Sequence, residues 1–404
     1  MAPTFDIILV GATGFVGQIV CRSLLNHAQT ESFSWAIAGR SAQKLNRLQN
    51  ALGDAATPLQ TIPIDVTDEQ QVRDLCTQTK VIITTVGPYA LYGETLVKVC
   101  AETGTDYCDL TGEVQWVRQM LDKYGAIAQQ SGARIVHCCG FDSIPSDLGV
   151  FYLQQQAKAQ WGDYCNRVKM RVKDARGGFS GGTAASGVNI IKEAITDSSV
   201  REILQNPYSL CQLETQDLTH PAALIPAQMD DAFGEWVTPF IMAGINTPVV
   251  LRSNRLADWQ YGRNFQYEEG LLVGSGIPGL LSAYGLKVAL DFFGIATAIA
   301  PGLIEKIIPA PGEGPSEDSQ QNGFYDLRFW GETPSGKHIT VKVTGDRDPG
   351  YGSTAKILAQ AGLCLAKEAE KSGGFWTPAT LFGPHLMTRL TQYAGLTFDV
   401  LDPC

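Results

Sequence analysis

FDIILVGATGFVG, residues 5–17, sets an apolar run against three evenly spaced glycines. Phe5–Val10 is a compact apolar run that stops at a glycine. Past the glycines, Val16, Ile19, Val20, Ser23 and Leu24 recur on one helical face, so the segment reads as strand, tight turn and helix. The spacing G-x-x-G-x-x-G gives each glycine a task. Gly11 allows the turn, Gly14 lets the backbone approach a pyrophosphate, and Gly17 lets helix and strand pack closely. The helix N-terminus supplies N–H groups and a positive dipole for the anion. Gly11, Ala12, Thr13, Gly14, Phe15 and Val16 are therefore expected to cradle a dinucleotide. The plain alternative is a glycine-rich turn with no ligand.

The second apolar run, Phe33–Ala38, ends in Gly39-Arg40-Ser41. An acidic residue there would hold ribose hydroxyls. Arg40 offers a planar cation and Ser41 a hydroxyl donor, with Lys44 one helical turn on, and this set suits a 2′-phosphate, so NADP(H) is expected over NAD(H). Ser41 also reads as the N-cap of the helix carrying Leu45, Leu48 and Leu52. A third strand, Ile62–Val66, places Asp65 where it either meets the adenine or caps a loop, and Thr67-Asp68-Glu69-Gln70 reads as a capping box. Val81–Val86 is a buried strand, and Val86, Gly87 and Pro88 after it should run beside the cofactor. A helix over Glu94–Glu102, a strand over Asp106–Leu110, a helix over Val114–Gln130 and a strand over Arg134–Cys138 complete six strands alternating with helices. That alternation specifies an α/β doubly wound parallel sheet.

The composition agrees. The chain has 404 residues, 44% hydrophobic and 18% charged, with a net charge of -10. These values exclude a disordered chain and a disulfide miniprotein, and the acidic field does not attract nucleic acid. The ten cysteines are scattered with no Cys-x-x-Cys pair, and the five histidines lie far apart, so reduced thiols and no metal site are expected. The start, MAPTFDIILV, does not read as a signal peptide, which leads to a cytoplasmic expectation.

The longer motifs carry a resemblance. GATGFVG, AGR, TTVGPYALYGETLVKVCAETGTDYCDLTGE and GFDSIPSDLG, followed by GEGPSE, GDRDPGYGSTAK and TPATLFG, resemble the saccharopine dehydrogenase-like oxidoreductases, in the branch that includes the trans-acting enoyl reductases. The resemblance spans nearly the whole chain and is most specific over residues 86–149. It implies an NADP-binding Rossmann domain over residues 1–150, and a mixed α/β (α+β) substrate and dimerisation domain over 151–404. The short-chain dehydrogenases, with a similar glycine turn, need a Tyr-x-x-x-Lys pair, and none of the thirteen tyrosines here has lysine at i+4.

The carboxyl ends of strands four to six carry the polar residues that should surround a nicotinamide: Tyr89 and Tyr92, then Asp109, Thr111 and Glu113, then Phe141, Asp142, Ser143 and Asp147. Tyr89, Tyr92, Asp109 and Asp142 are the candidate catalytic groups, because a phenol or a carboxyl of raised pKa can donate the proton that accompanies a hydride. Competing structural roles stand beside them. Asp109 and Glu113 suit the N-terminus of the helix at Val114, Asp142 and Ser143 an Asx-turn, and Ser146 an N-cap.

In the second half, Arg167–Val172, Tyr325–Phe329 and Ile339–Val343 alternate as half-buried strands, the last two joined through Thr333–Gly336, and Phe265 and Tyr267 suggest another. The run Gly177–Thr183 leads into a helix and reads either as an anion-holding turn or as a plain connection. Ser353 or Thr354 can open a helix burying Ile357, Leu358, Ala361 and Leu365, which is expected to pack back on the nucleotide domain. Residues 271–304 are largely apolar, with Lys287 and Asp291 placed to pair. Their uncharged pieces, 271–286 and 292–304, are each shorter than the roughly 20 residues of a spanning helix. Three readings stay open for them: a buried or dimer-facing helix pair, a lipid-binding or peripheral membrane-docking element, or a span.

The expected function is NADP(H)-dependent reduction of an enoyl, carbonyl or imine double bond in a lipid-like or acyl substrate by a homodimer. An amino-acid imine reductase of the saccharopine type and a non-catalytic NADPH-binding scaffold at a membrane are the alternatives.

Overall fold

Aliphatic runs become strands buried on both faces, as a helix-covered parallel sheet requires. Ile7, Ile8, Leu9 and Val10 are fully buried, as are Val81, Ile82 and Ile83. The computed structural model describes residues 3–177, 181–213, 225–299 and 316–401. Strands β1 (Phe5–Val10), β2 (Trp35–Gly39), β3 (Gln60–Pro63), β4 (Thr79–Thr84), β5 (Asp106–Cys108) and β6 (Arg134–Val136) form a parallel sheet in the order β6-β5-β4-β1-β2-β3. The chain then builds β7 (Arg167–Arg176), β8 (Gln228–Asp230), β9 (Glu235–Pro239), β10 (Gln266–Leu272), β11 (Phe324–Glu332) and β12 (His338–Gly345) into a second, mixed sheet. In it β10 runs parallel to β7, while the other pairings are antiparallel. The chain returns to the first sheet with β13 (Gly374–Trp376), parallel to β6 at the sheet's edge, and ends the second with β14 (Leu396–Val400) beside β12. The architecture is α/β, a doubly wound parallel sheet joined to a mixed sheet.

Ile357, Leu358, Ala361 and Leu365 on the helix Thr354–Lys367 share one core with Ile83 and Cys108 of the first sheet. The nine described cysteines are buried and free.

Several elements differ from the sequence reading. β5 and β6 stop at Cys108 and Val136 rather than Leu110 and Cys138. The Asp109 carboxylate accepts from the backbone N–H groups of Thr111 and Cys138, both at 3.1 Å, and draws the chain out of the ladder, with Cys138 at φ +62°. Asp68, not Thr67, caps the helix Glu69–Cys76, since the Thr67 hydroxyl is spent on Asp65. Ser353 and Thr354 do not cap. Asp348 accepts from Tyr351 and Gly352, while Thr354 Oγ1 donates to the Pro349 carbonyl and accepts from Phe141 N. The largest difference is in the apolar segment. Leu271 and Leu272 end β10, and one unbroken helix, Gly276–Ile299, follows. Pro278 does not break it, because a proline in the first turn removes no intrahelical hydrogen bond. The helix is not buried: Ile277, Phe292 and Ile299 are 72%, 71% and 79% exposed. Lys287 Nζ and Asp291 Oδ2 do pair, at 2.5 Å. Residues 300–304 of the apolar segment, 312–315 of GEGPSE and 178–180 of the glycine run lie outside the described residues.

Candidate active site

The glycine turn joins the end of β1 to the helix Phe15–His27. Gly11 has φ +86°, and a Cβ there would stand 2.8 Å from both Thr85 Oγ1 and Val86 Cγ2. A Cβ on Gly17 would stand 2.2 Å from the Gly11 carbonyl oxygen. Only glycine suits either place. Thr85 clasps the turn from the end of β4, its hydroxyl donating to the Gly11 carbonyl at 3.1 Å. Thr85 and Val86 are thus brought against Gly11 of the turn. The helix N-terminus at Gly14 carries no side-chain cap and no acidic residue in its first turn, which leaves its N–H groups for an anion.

At the end of β2, Arg40 and Lys44 are exposed, and neither forms an ion pair with a described residue. Ser41 Oγ accepts from Lys44 N at 3.3 Å, capping the helix Ala42–Ala51 and keeping its own proton free to donate. Arg47 follows Lys44 by three residues, on the same helical face, and adds a cation that the sequence reading did not use. Asp65 is exposed and caps its loop: Oδ1 accepts from Thr67 N at 3.0 Å and from Thr67 Oγ1 at 2.8 Å. These hydrogen bonds hold its pKa below the usual value. The glycine turn, the uncapped helix start and the unpaired Arg40 and Lys44 all fit NADP(H).

The loops after β4, β5 and β6 are built on buried carboxylates. Glu113 accepts from the backbone N–H groups of Tyr89 and Ala90, both at 2.9 Å, and from the Ser186 hydroxyl at 2.8 Å. It therefore caps the short helix Tyr89–Tyr92, not the helix Val114–Ser131 that begins beside it. Burial raises its pKa against these hydrogen bonds. Asp109 has no exposed surface. It accepts from Tyr107 Oη at 2.9 Å, pairs with His137 Nδ1 at 2.6 Å and holds the Thr111 and Cys138 amides. It fixes the loops after β5 and β6, and this saturated, enclosed position keeps it from a substrate. Tyr89 is likewise turned inward. Its hydroxyl donates to the Thr84 carbonyl at 3.1 Å and accepts from Leu110 N at 3.4 Å, and burial, then the charge of Asp109, pushes its pKa well up. Tyr92 projects outward, 43% exposed.

Asp142 differs from all of these. It is half-buried, its carboxyl has no hydrogen bond to a described residue, and its pKa is pushed up to about 7 by burial and then by the charge of Asp109. Its neighbours form no Asx-turn. Ser143 Oγ donates to Asn246 Oδ1 at 2.9 Å, and Asn246 Nδ2 donates to Ser146 Oγ at 3.2 Å and to Glu269 Oε2 at 3.0 Å. Ser146 lies inside the helix Ile144–Trp161 and caps nothing. Asp147 is buried, also raised to about 7, and accepts from Ser253 Oγ at 2.5 Å and Ala379 N at 2.7 Å. Sequence reasoning missed Asn246 and Thr85. Thr85 had a signal, a hydroxyl at the end of a buried strand just before the cofactor-facing loop. Asn246 had none.

Fold and site together define an NADP-dependent oxidoreductase. Residues 7–136 match the family model described as the saccharopine dehydrogenase NADP binding domain. A Mycobacterium tuberculosis protein of the trans-acting enoyl reductase group is 37% identical over 98% of this chain and 97% of its own length. The trans-acting enoyl reductase of Mycobacterium bovis is 34% identical over 96% and 95%. The chain belongs to the saccharopine dehydrogenase-like family. Among solved structures, apo saccharopine dehydrogenase (L-Glu forming) from Saccharomyces cerevisiae shares the fold, with a TM-score of 0.56 and 13% identity over 98% of this chain and 100% of that one.

Proposed function

We propose that this oxidoreductase reduces the carbon–carbon double bond of an enoyl group in a lipid-like or acyl substrate. The observation that carries the reading is Asp142, a carboxyl without a hydrogen-bonding partner among the described residues, at the carboxyl edge of the nucleotide-binding sheet, its pKa pushed up to about 7 by burial and then by Asp109. When bound, NADPH supplies a hydride to the electron-poor carbon of the double bond. Asp142 gives its proton to the adjacent carbon and is reprotonated from solvent. Asp109 and Glu113 hold the surrounding loops, so the acid is oriented without moving. Ser41, Arg40 and Lys44 anchor the 2′-phosphate end.

The enoyl assignment is supported by the relatives named as trans-acting enoyl reductases, which match over nearly their whole length. The lipid-like character is supported by the helix Gly276–Ile299, which is long and apolar enough by length and composition to cross a membrane. Its exposed Ile277, Leu281, Tyr284, Val288, Phe292, Ile295 and Ile299 fall every three or four residues, forming one stripe. The helix packs on the helix Gly181–Thr196, whose Ser186 reaches Glu113 in the cleft. We place this stripe on a lipid surface, peripherally, so that a greasy substrate enters beside the site.

Stopped-flow oxidation of NADPH tests the reaction. Long-chain 2-enoyl thioesters should be reduced in single turnover, whereas imino acids should leave NADPH unchanged. Imino-acid-dependent oxidation with inert thioesters would replace the enoyl reading, and inertness toward both would end it.

A further inference from the structure

Away from the cofactor cleft, a groove of about 710 Å³ runs beside β13, between the helices Val114–Ser131 and Ala243–Leu256. β13 is the outermost strand of the first sheet, and among the described strands only β6 pairs with it. The volume falls in the range of small-molecule sites. The groove is lined by Arg252, Arg255, Gln129 and Gln212 together with Phe375 and Trp376.

Its charge is unbalanced. Arg252 is more than nine-tenths buried, yet meets no carboxylate among the described residues. It donates from Nη1 to the Leu210 carbonyl at 2.5 Å and from Nη2 to the Phe375 carbonyl at 2.8 Å, which fixes the guanidinium and leaves Nε without a described partner. Arg255 is half-buried, lies over the Trp259 ring at 5.7 Å, and forms no ion pair with a described residue. The acid lining the groove, Asp122, is already spent: Oδ2 accepts from Arg118 Nε at 2.7 Å and Oδ1 from Gln212 Nε2 at 3.0 Å. A desolvated guanidinium without a counter-charge, such as Arg252, is costly, and in a chain of net charge -10 two arginines without a described ion pair facing one cavity stand out. Arg118 and Arg255 each add repulsion at Arg252, which an incoming anion would relieve.

We propose that this groove is a second ligand site, for a small molecule bearing a carboxylate or phosphate monoester on an apolar body. The anion lies between the guanidiniums of Arg252 and Arg255, and the body packs on Phe375 and Trp376. The Trp376 ring is held ready by its Nε1, which donates to the Ser372 carbonyl at 3.0 Å. The Arg255 side chain spends no hydrogen bond on the described fold, so it can be changed without breaking the groove.

Calorimetric titration of the full chain, saturated with NADPH to occupy the cofactor's own anion sites, tests the proposal. Phenyl phosphate and benzoate are the probes, with inorganic phosphate as the reference. One equivalent of an aryl anion should bind at least about tenfold more tightly than inorganic phosphate, and Arg255→Glu should weaken it by about tenfold or more, as loss of one charge-assisted contact implies. NADPH affinity should stay unchanged. The stronger of the two aryl probes identifies the anion class. No binding of either aryl probe, or binding that Arg255→Glu and Arg252→Lys both leave intact, overturns the proposal.

Discussion

Replacing Asp142 with asparagine removes the proposed acid and keeps its shape. Burial and Asp109 raise the carboxyl from 3.8 to about 7. At ~1.4 kcal/mol per pKa unit the ceiling on the linked stability is about 4 kcal/mol, and because the group is half-buried, solvent screening brings the expected value to roughly 1–2 kcal/mol. The sign follows from the folded pKa lying above the unfolded one. The carboxyl favours the folded state fully below about pH 4, and that contribution drains away as the pH rises to about 7. Asp142→Asn should therefore flatten part of the fall in thermal stability between about pH 4 and 7. Asp147 titrates over the same range in both proteins, so the difference between the two curves isolates Asp142.

The same substitution is read by kinetics. Wild-type kcat should decline above about pH 7 as the acid ionises. In Asp142→Asn it should drop by about 10²–10⁴-fold and lose that limb of the profile, while the Kd for NADPH holds. A purely structural aspartate would lower activity equally at every pH and leave the limb in place. An unchanged pH profile in the variant, or wild-type kcat, refutes the assignment.

Two further outcomes check other parts of the cleft and its surroundings. Arg40→Asp should weaken NADPH by about 10–100-fold, the worth of a charge-assisted phosphate contact, and leave NADH binding unaltered; equal effects on both cofactors in fluorescence titration would remove Arg40 from the 2′-phosphate site. In flotation with neutral vesicles the full chain should rise with lipid, and Ile277→Glu/Phe292→Glu should stay in the soluble fraction; a wild-type protein that remains soluble as a stable dimer would mean that a second copy covers the stripe.

How far the site is legible in the sequence depends on how locally each part is determined. The glycine turn is local: Gly11 and Gly17 act through backbone, and a Cβ at either would collide with the strand–turn–helix unit or with the end of β4, as their spacing implied. Ser41 as an N-cap is equally local. The carboxylates are not. Glu113 stands beside the start of the helix Val114–Ser131, so helix-end preference assigns it there. Its actual partners, Tyr89 N, Ala90 N and Ser186, lie more than twenty residues away on one side and more than seventy on the other. A capping preference describes the residue type, whereas the carboxylate goes to whichever unpaired N–H groups the assembled sheet presents. Tyr89 fails for the same reason. A tyrosine after a strand is equally able to face the cleft or the core, and only the placement of the Thr84 carbonyl and Leu110 N–H chooses the core. Asp142 remains a candidate acid because no such partner claims its carboxyl among the described residues. On the proposed reading, proton donation therefore falls to the acidic side chain that the described fold leaves without a structural task.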